Sequence, residues 1–149
     1  SFSMLESDLL HPEILQVLGS IGHSSKILIA DGNFPFATKT NRHAHKVFLN
    51  LAPGVVGACD VLKAICSVVP IESAMVMSPP RAGEFAVPNP QIWDDFGGIL
   101  AKVDFDRGLQ KVGRFVFYDC CKSDDCHLVI ATGEQKIFAN LLLTIGVTK

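Results

Sequence analysis

Lys26-Ile27-Leu28-Ile29-Ala30-Asp31-Gly32-Asn33-Phe34-Pro35 is the stretch from which the rest of the chain can be read. Lys26–Ala30 is a short apolar run, the pattern of a buried strand. Asp31 to Pro35 is turn chemistry, with an Asx side chain, a glycine and a proline in succession. A buried strand that ends in an aspartate and a polar turn is the arrangement found where α/β sheets bind ligands, outside the carboxyl ends of their strands.

Upstream, His11-Pro12-Glu13 predicts a helix start, with proline in the first turn and a carboxylate near the positive end of the dipole. Ile14, Leu15, Leu18 and Ile21 continue it as a helical stripe, and Gly22 stops it. Downstream, Lys46–Leu51 reads as a strand broken by Pro53-Gly54. Val55–Val68 reads as a helix with Val55, Cys59, Leu62 and Cys66 on one face. Glu72–Met77 is a second buried strand, Ser78–Pro90 a Pro- and Gly-rich loop, and Pro90–Lys102 a helix with Ile92, Phe96, Ile99 and Leu100 inward. Arg114–Tyr118 is ambiguous between strand and helix. His127–Ala131 and Asn140–Ile145 are expected strands. Strands alternating with helices predict an α/β fold, a single three-layer domain over residues 1–149 with a mostly parallel central sheet.

Composition narrows the function. With 149 residues, 48% hydrophobic, the chain can bury one sizeable core, and disorder is not expected. No apolar run approaches the roughly 18–20 residues of a membrane span, so no membrane partner is expected. A net charge of −2, without basic residues interleaved with aromatics, gives no case for nucleic acid. Ser1–Leu10 has neither a cationic start nor a long apolar stretch, so a signal peptide is not expected there. The five cysteines, odd in number and irregular in spacing, read as free thiols in a reducing cytoplasm.

Several residues could carry chemistry, and each has a plainer reading. His23 at a helix–strand junction is either a surface residue or a general acid/base. Asp31 either holds its turn or accepts hydrogen bonds from ligand hydroxyls. Arg114 is either a solvated charge or a fork-shaped donor. Phe115, Phe117 and Tyr118 suit a core, although one of them could stack on a ligand's apolar face. His43 and His45 would share one face of a strand, but no third ligand at metal spacing accompanies them. Cys121, Cys126 and His127 do not match a zinc pattern either, so no metal site is expected. Gly-x-Gly-x-x-Gly, Walker and Gly-x-Ser-x-Gly patterns are absent.

Taken in order, the segments resemble the fucose mutarotase and ribose pyranase family. His11-Pro12-Glu13-Ile14-Leu15 with Ile21-Gly22-His23 is similar to the family's opening helix and Gly-His motif. Ile29-Ala30-Asp31-Gly32-Asn33-Phe34-Pro35 resembles the Ala-Asp-x-Asn-Phe-Pro signature of the fucose branch. Gly113-Arg114-Phe115-Val116-Phe117-Tyr118 resembles its Arg-Phe-x-Phe-Tyr segment. Ala131-Thr132-Gly133-Glu134, Phe138-Ala139-Asn140 and Gly146-Val147 resemble the family's C-terminal end. Together these cover about nine-tenths of the chain.

The resemblance implies a cofactor-independent isomerase that interconverts the α and β anomers of a free monosaccharide, L-fucose or a related aldose. The alternative is a sugar-binding protein of the same fold without turnover. By position it implies His23 as proton donor, and Asp31, Arg114, Tyr118, Phe138, Ala139 and Asn140 as substrate-binding residues. Arginine at 114 is the fucose-branch residue, where ribose pyranases carry histidine. The implied assembly is a homo-oligomer, a decameric ring or a smaller oligomer, with sites completed at subunit interfaces. Three positions depart from the pattern. Phe138 stands where the family has tyrosine, Ser25 where an aspartate follows Gly-His-x, and Pro53 where the fucose branch has aspartate in Ala-Asp-Gly.

Overall fold

A computed structural model describes residues 5–148. Ser1–Met4, the start of the segment read as lacking a secretory leader, lie outside the described residues.

The element order is α1 (Pro12–Ser20), β1 (Lys26–Ala30), β2 (His45–Phe48), α2 (Ala58–Cys66), β3 (Ile71–Met77), α3 (Ile92–Ala101), β4 (Gln110–Val112), α4 (Arg114–Lys122), β5 (Cys126–Ala131) and β6 (Leu141–Ile145). The six strands form one sheet in the order β2-β5-β1-β6-β3-β4. β1, β2 and β5 run parallel, as do β3 and β4, and β6 lies antiparallel between β1 and β3. The sheet is therefore mostly parallel, as expected, with one reversed strand near its centre. The cause is the connection over 132–140, which contains no helix. A parallel return needs a crossover to the far end of the sheet, commonly a helix. Without one, β6 starts at the end where β5 stops.

Side chains along β1 alternate between two cores, as the two-residue period of a strand requires. Ile27 and Ile29 join Leu128, Ile130, Leu141 and Leu143 against Ile14 of α1, Leu62 of α2 and Phe96 of α3. Leu28 and Ala30 face the other way, with Val129, Leu142, Phe34, Phe117 and Cys121. Helices α1, α2 and α3 thus form one outer layer, and α4 with the 33–44 segment forms the other. The fold is a three-layer α/β domain.

Local chemistry explains the start of α1, and a distant residue that of α2. His11 caps α1 by accepting the Ile14 amide on Nδ1 at 3.4 Å, and Pro12 occupies the first turn. α2 begins at Ala58, three residues later than the sequence pattern suggests. Val55 is exposed and forms a bridge with Ala52 instead of a helical turn. Gly57 has no side chain to cap α2, and the Glu134 carboxylate does so from a distance, accepting the Ala58 amide at 3.1 Å.

The ambiguous segment after Gly113 is the helix α4. Phe117 and Cys121, four residues apart, are fully buried, whereas Phe115 is 78% exposed. A strand would have put Phe115 and Phe117 on the same face. The short strand β4 has no apolar signature and exists through its pairing with β3. All five cysteines are free thiols. Among the described residues, no helix is long and apolar enough to cross a membrane.

Candidate functional site

The parallel strands β1, β3, β4 and β5 end at one edge of the sheet, and the reversed β6 begins there. Asp31, Arg114 and Asn140 are consequently brought to the same edge from sequence positions far apart.

Asp31 is buried at the end of β1. Its Oδ1 accepts the Asn33 amide at 2.9 Å, closing the Asx turn anticipated from the sequence. Asn140 grips it at two points. The Asp31 amide donates to Asn140 Oδ1 at 2.8 Å, and Asn140 Nδ2 donates to Asp31 Oδ2 at 3.3 Å. Burial pushes the Asp31 carboxyl above its ordinary value. The backbone amides of Asn33 and Phe34 and the Asn140 side chain oppose that shift, and the nearby Glu134 carboxylate adds to it. The result is a carboxylate held in one orientation, Oδ1 by the Asn33 amide and Oδ2 by Asn140.

The segment before Asn140 is fixed just as firmly. Phe138 is half-buried, takes a left-handed backbone with φ 55°, and packs against both cores. Its carbonyl accepts the indole N–H of Trp93 at 3.0 Å. The methyl of Ala139 is fully buried in the core. Trp93 and Glu134 are the residues that sequence reading missed. Trp93 sits on α3 next to the inward Ile92, and its status as the single tryptophan was the available signal. Glu134 accepts the amides of Ala58, Gln135 and Lys136 and so ties the loop after β5 to α2.

Arg114 opens α4 immediately beyond β4 and is exposed on this edge. Tyr118 lies one turn further along, half-buried, with its ring 5.8 Å from Phe34 in an edge-on contact and the Lys39 ammonium 5.6 Å from its centroid. It therefore supports the turn that carries Asp31. Beside Asp31 a cleft of about 430 Å³ is bordered by Asn33, Asn50, Thr132 and Gln135.

His23 is not with this group. It precedes β1, whereas Asp31 follows it, so the length of a five-residue strand separates them, about 15 Å at the usual rise. At the opposite edge His23 Nε2 lies 3.2 Å from Glu72 Oε1 at the start of β3, and half of its side chain is exposed. Ser25, at the position where the family has aspartate, is buried with Oγ 3.2 Å from His127 Nδ1. Glu72, and not residue 25, is the partner of His23. His45 pairs with Glu13 at 3.0 Å, and His43 accepts from the Arg42 guanidinium. Among the described residues, no three His, Cys, Asp or Glu side chains are grouped as metal ligands.

Comparison with known proteins fits this architecture. Residues 4–148 match the RbsD / FucU transport protein family. A fucose mutarotase of Danio rerio is 32% identical over 142 residues, covering 93% of this chain and 89% of that protein. A D-ribose pyranase of Yersinia enterocolitica is 29% identical, covering 97% and 99%. The crystal structure of FucU from Bifidobacterium longum superposes with a TM-score of 0.81 at 32% identity, covering 96% of this chain and all of that one. With the match spanning nearly every residue and the same fold seen in that relative, the chain belongs to the RbsD/FucU family.

Proposed function

We propose that this protein is a cofactor-independent monosaccharide mutarotase acting on L-fucose or a related aldose. The observation that carries the proposal is the buried Asp31 carboxylate, fixed by Asn140 and the Asn33 amide at the carboxyl edge of the sheet. A fixed carboxylate beside amide groups suits a polyhydroxylated ligand. The fucose mutarotase and ribose pyranase relatives support the same chemistry.

Mutarotation requires a proton to leave the anomeric hydroxyl and another to reach the ring oxygen. The ring opens to the aldehyde, the C1–C2 bond rotates, and the ring closes on the other face. In our reading Asp31 and Asn140 hold sugar hydroxyls. Arg114 orients the sugar and stabilises negative charge developing on oxygen. His23 moves the proton, with Glu72 fixing its ring. General acid–base catalysis of about 10²–10⁴-fold is enough for a reaction that already proceeds unaided.

Because His23 and Asp31 occupy opposite edges of one chain, we infer a homo-oligomer in which the His23 edge of one copy meets the Asp31 edge of the next. A head-to-tail contact whose rotation divides a full turn closes into a ring, and we propose such a ring, up to a decamer, for this chain. The exposed Phe48, Leu51 and Phe115 near the Asp31 edge, and Val68 and Val147 near the His23 edge, supply apolar surface for it. The five free thiols accord with a cytoplasmic setting.

Saturation-transfer NMR on fucose, ribose and other aldoses tests the activity, and unchanged anomer exchange for all of them rejects it. Mixing inactive His23→Gln and Asp31→Asn proteins tests the shared site. Random mixed oligomers regain about a quarter of wild-type exchange, because one contact in four pairs an intact Asp31 with an intact His23. Sugar binding without turnover is the second reading, and Phe138, lacking the family's tyrosine hydroxyl, favours it. Calorimetric binding with no exchange, restored by Phe138→Tyr, would establish it.

A further inference from the structure

The loop between β3 and α3 encloses a cavity of about 320 Å³ that the sugar site described above does not use. Trp93 lines it, with Pro79, Val87 and Pro88 adding apolar surface. Arg81 and Lys111 are its two charged residues, and no carboxylate lines it. The Lys111 ammonium is held 5.4 Å from the centroid of the Trp93 ring. Neither cation has a carboxylate partner among the described residues. Asp94 lines the adjoining cleft, which shares Trp93 and Lys111 with this cavity. In a chain whose net charge is −2, two unpaired cations on one concave surface are not a consequence of general basicity.

The cavity wall is tied toward the sugar site by two hydrogen bonds. Trp93 is part of its wall and also donates its indole N–H to the Phe138 carbonyl, two residues before Asn140. Ser78, on the same wall, donates its amide to the Val112 carbonyl, two residues before Arg114. The chain from Phe138 to Asn140 thus runs from the Trp93 wall of this cavity to the Asp31 carboxylate.

We propose that this cavity is an anion-accepting subsite that selects aldoses bearing a carboxylate or phosphate distal to the anomeric carbon. The proposal rests on the sugar site of the preceding section. The Trp93 ring, buried in the wall, holds the Lys111 ammonium over its face at the cavity. Arg81 supplies a planar fork for a carboxylate or phosphate, and Lys111 a point charge.

Trp93 is the only tryptophan, so its fluorescence reports on the cavity whether or not turnover occurs. The full-length protein is titrated with galactose, galacturonate, glucose and glucose 6-phosphate. Anomer exchange is measured on the same four sugars. The expected result is a Trp93 response to an acidic sugar at a Kd at least about tenfold below that of its neutral counterpart. The preference shrinks in 0.5 M salt and falls toward unity in Arg81→Gln and Lys111→Gln proteins. A preference for galacturonate alone identifies a carboxylate subsite, and one for glucose 6-phosphate alone a phosphate subsite. Equal Kd values for acidic and neutral sugars, or no Trp93 response, overturn the subsite even if neutral sugars exchange rapidly. An acidic preference in Trp93 binding without accelerated exchange of any sugar upholds the subsite and removes the mutarotase reading instead.

Discussion

Asn140→Asp replaces the amide that grips Asp31 with a carboxylate of nearly the same shape. The Asp31 amide keeps its acceptor, because an oxygen remains at the Oδ1 position. The Nδ2 donor 3.3 Å from Asp31 Oδ2 becomes a second acidic oxygen. Two unit charges at that separation repel by about 5 kcal/mol at an effective dielectric of 20. Retaining one proton on the pair avoids the repulsion and restores an O–H donor. At pH 7 this costs about 4 kcal/mol against an ordinary carboxylate. The pair therefore holds a proton in the folded state that the unfolded chain has released. Folded-state affinity for that proton is raised, so the stability is present at low pH and is lost as pH rises toward neutrality, by up to about 1.4 kcal/mol per pH unit. Wild-type Asp31, itself raised by burial, has the same sign and reduces the difference. The variant should be destabilised by about 3 kcal/mol at pH 7 and by about 1 kcal/mol at pH 5. Urea unfolding at matched protomer concentration measures both. A penalty equal at the two pH values, or larger at pH 5, would refute the view that Asn140 acts as a hydrogen-bond donor to a buried carboxylate.

Other perturbations probe the frame around the site. Glu134→Ala removes the acceptor for the Ala58 amide and should cost about 1–2 kcal/mol. Faster hydrogen exchange in the first turn of α2 would locate the loss there. Gly133→Ala would drive a methyl into the carbonyl groups of Ala52 and Val55, with the Val55 oxygen 2.5 Å from the added carbon. Backbone cannot yield as a flexible side chain does, so a loss of about 1–3 kcal/mol is expected in thermal unfolding. Phe117→Ala empties a fully buried position and should cost about 3–5 kcal/mol. Phe115→Ala, two residues away and exposed, should leave protomer stability within about 0.5 kcal/mol while weakening self-association in size-exclusion chromatography with light scattering.

Features governed by neighbours in sequence were legible from the residues alone. β1 has the limits its apolar run suggests, and the Asx turn at Asp31 forms as its composition indicates. The start of α1 at His11-Pro12 follows from capping chemistry within three residues. The ordered motifs, read together, pointed to the RbsD/FucU family to which the chain belongs.

Features set by distant partners were not legible. Glu134 caps α2 from 76 residues away, so the helix begins later than its own pattern implies. β4 has three residues and no apolar signature, and its pairing with β3 makes it a strand. The direction of β6 depends on which strands flank it, and it is this reversal that delivers Asn140 to Asp31 across 109 residues of sequence. Sequence determined that His23, Asp31 and Arg114 are present in the family's order. Tertiary structure decided that Asp31 and Arg114 share an edge while His23 lies a strand's length away. The reason is directional: residues flanking a strand on either side must emerge at opposite edges of the sheet, however close they are in the chain.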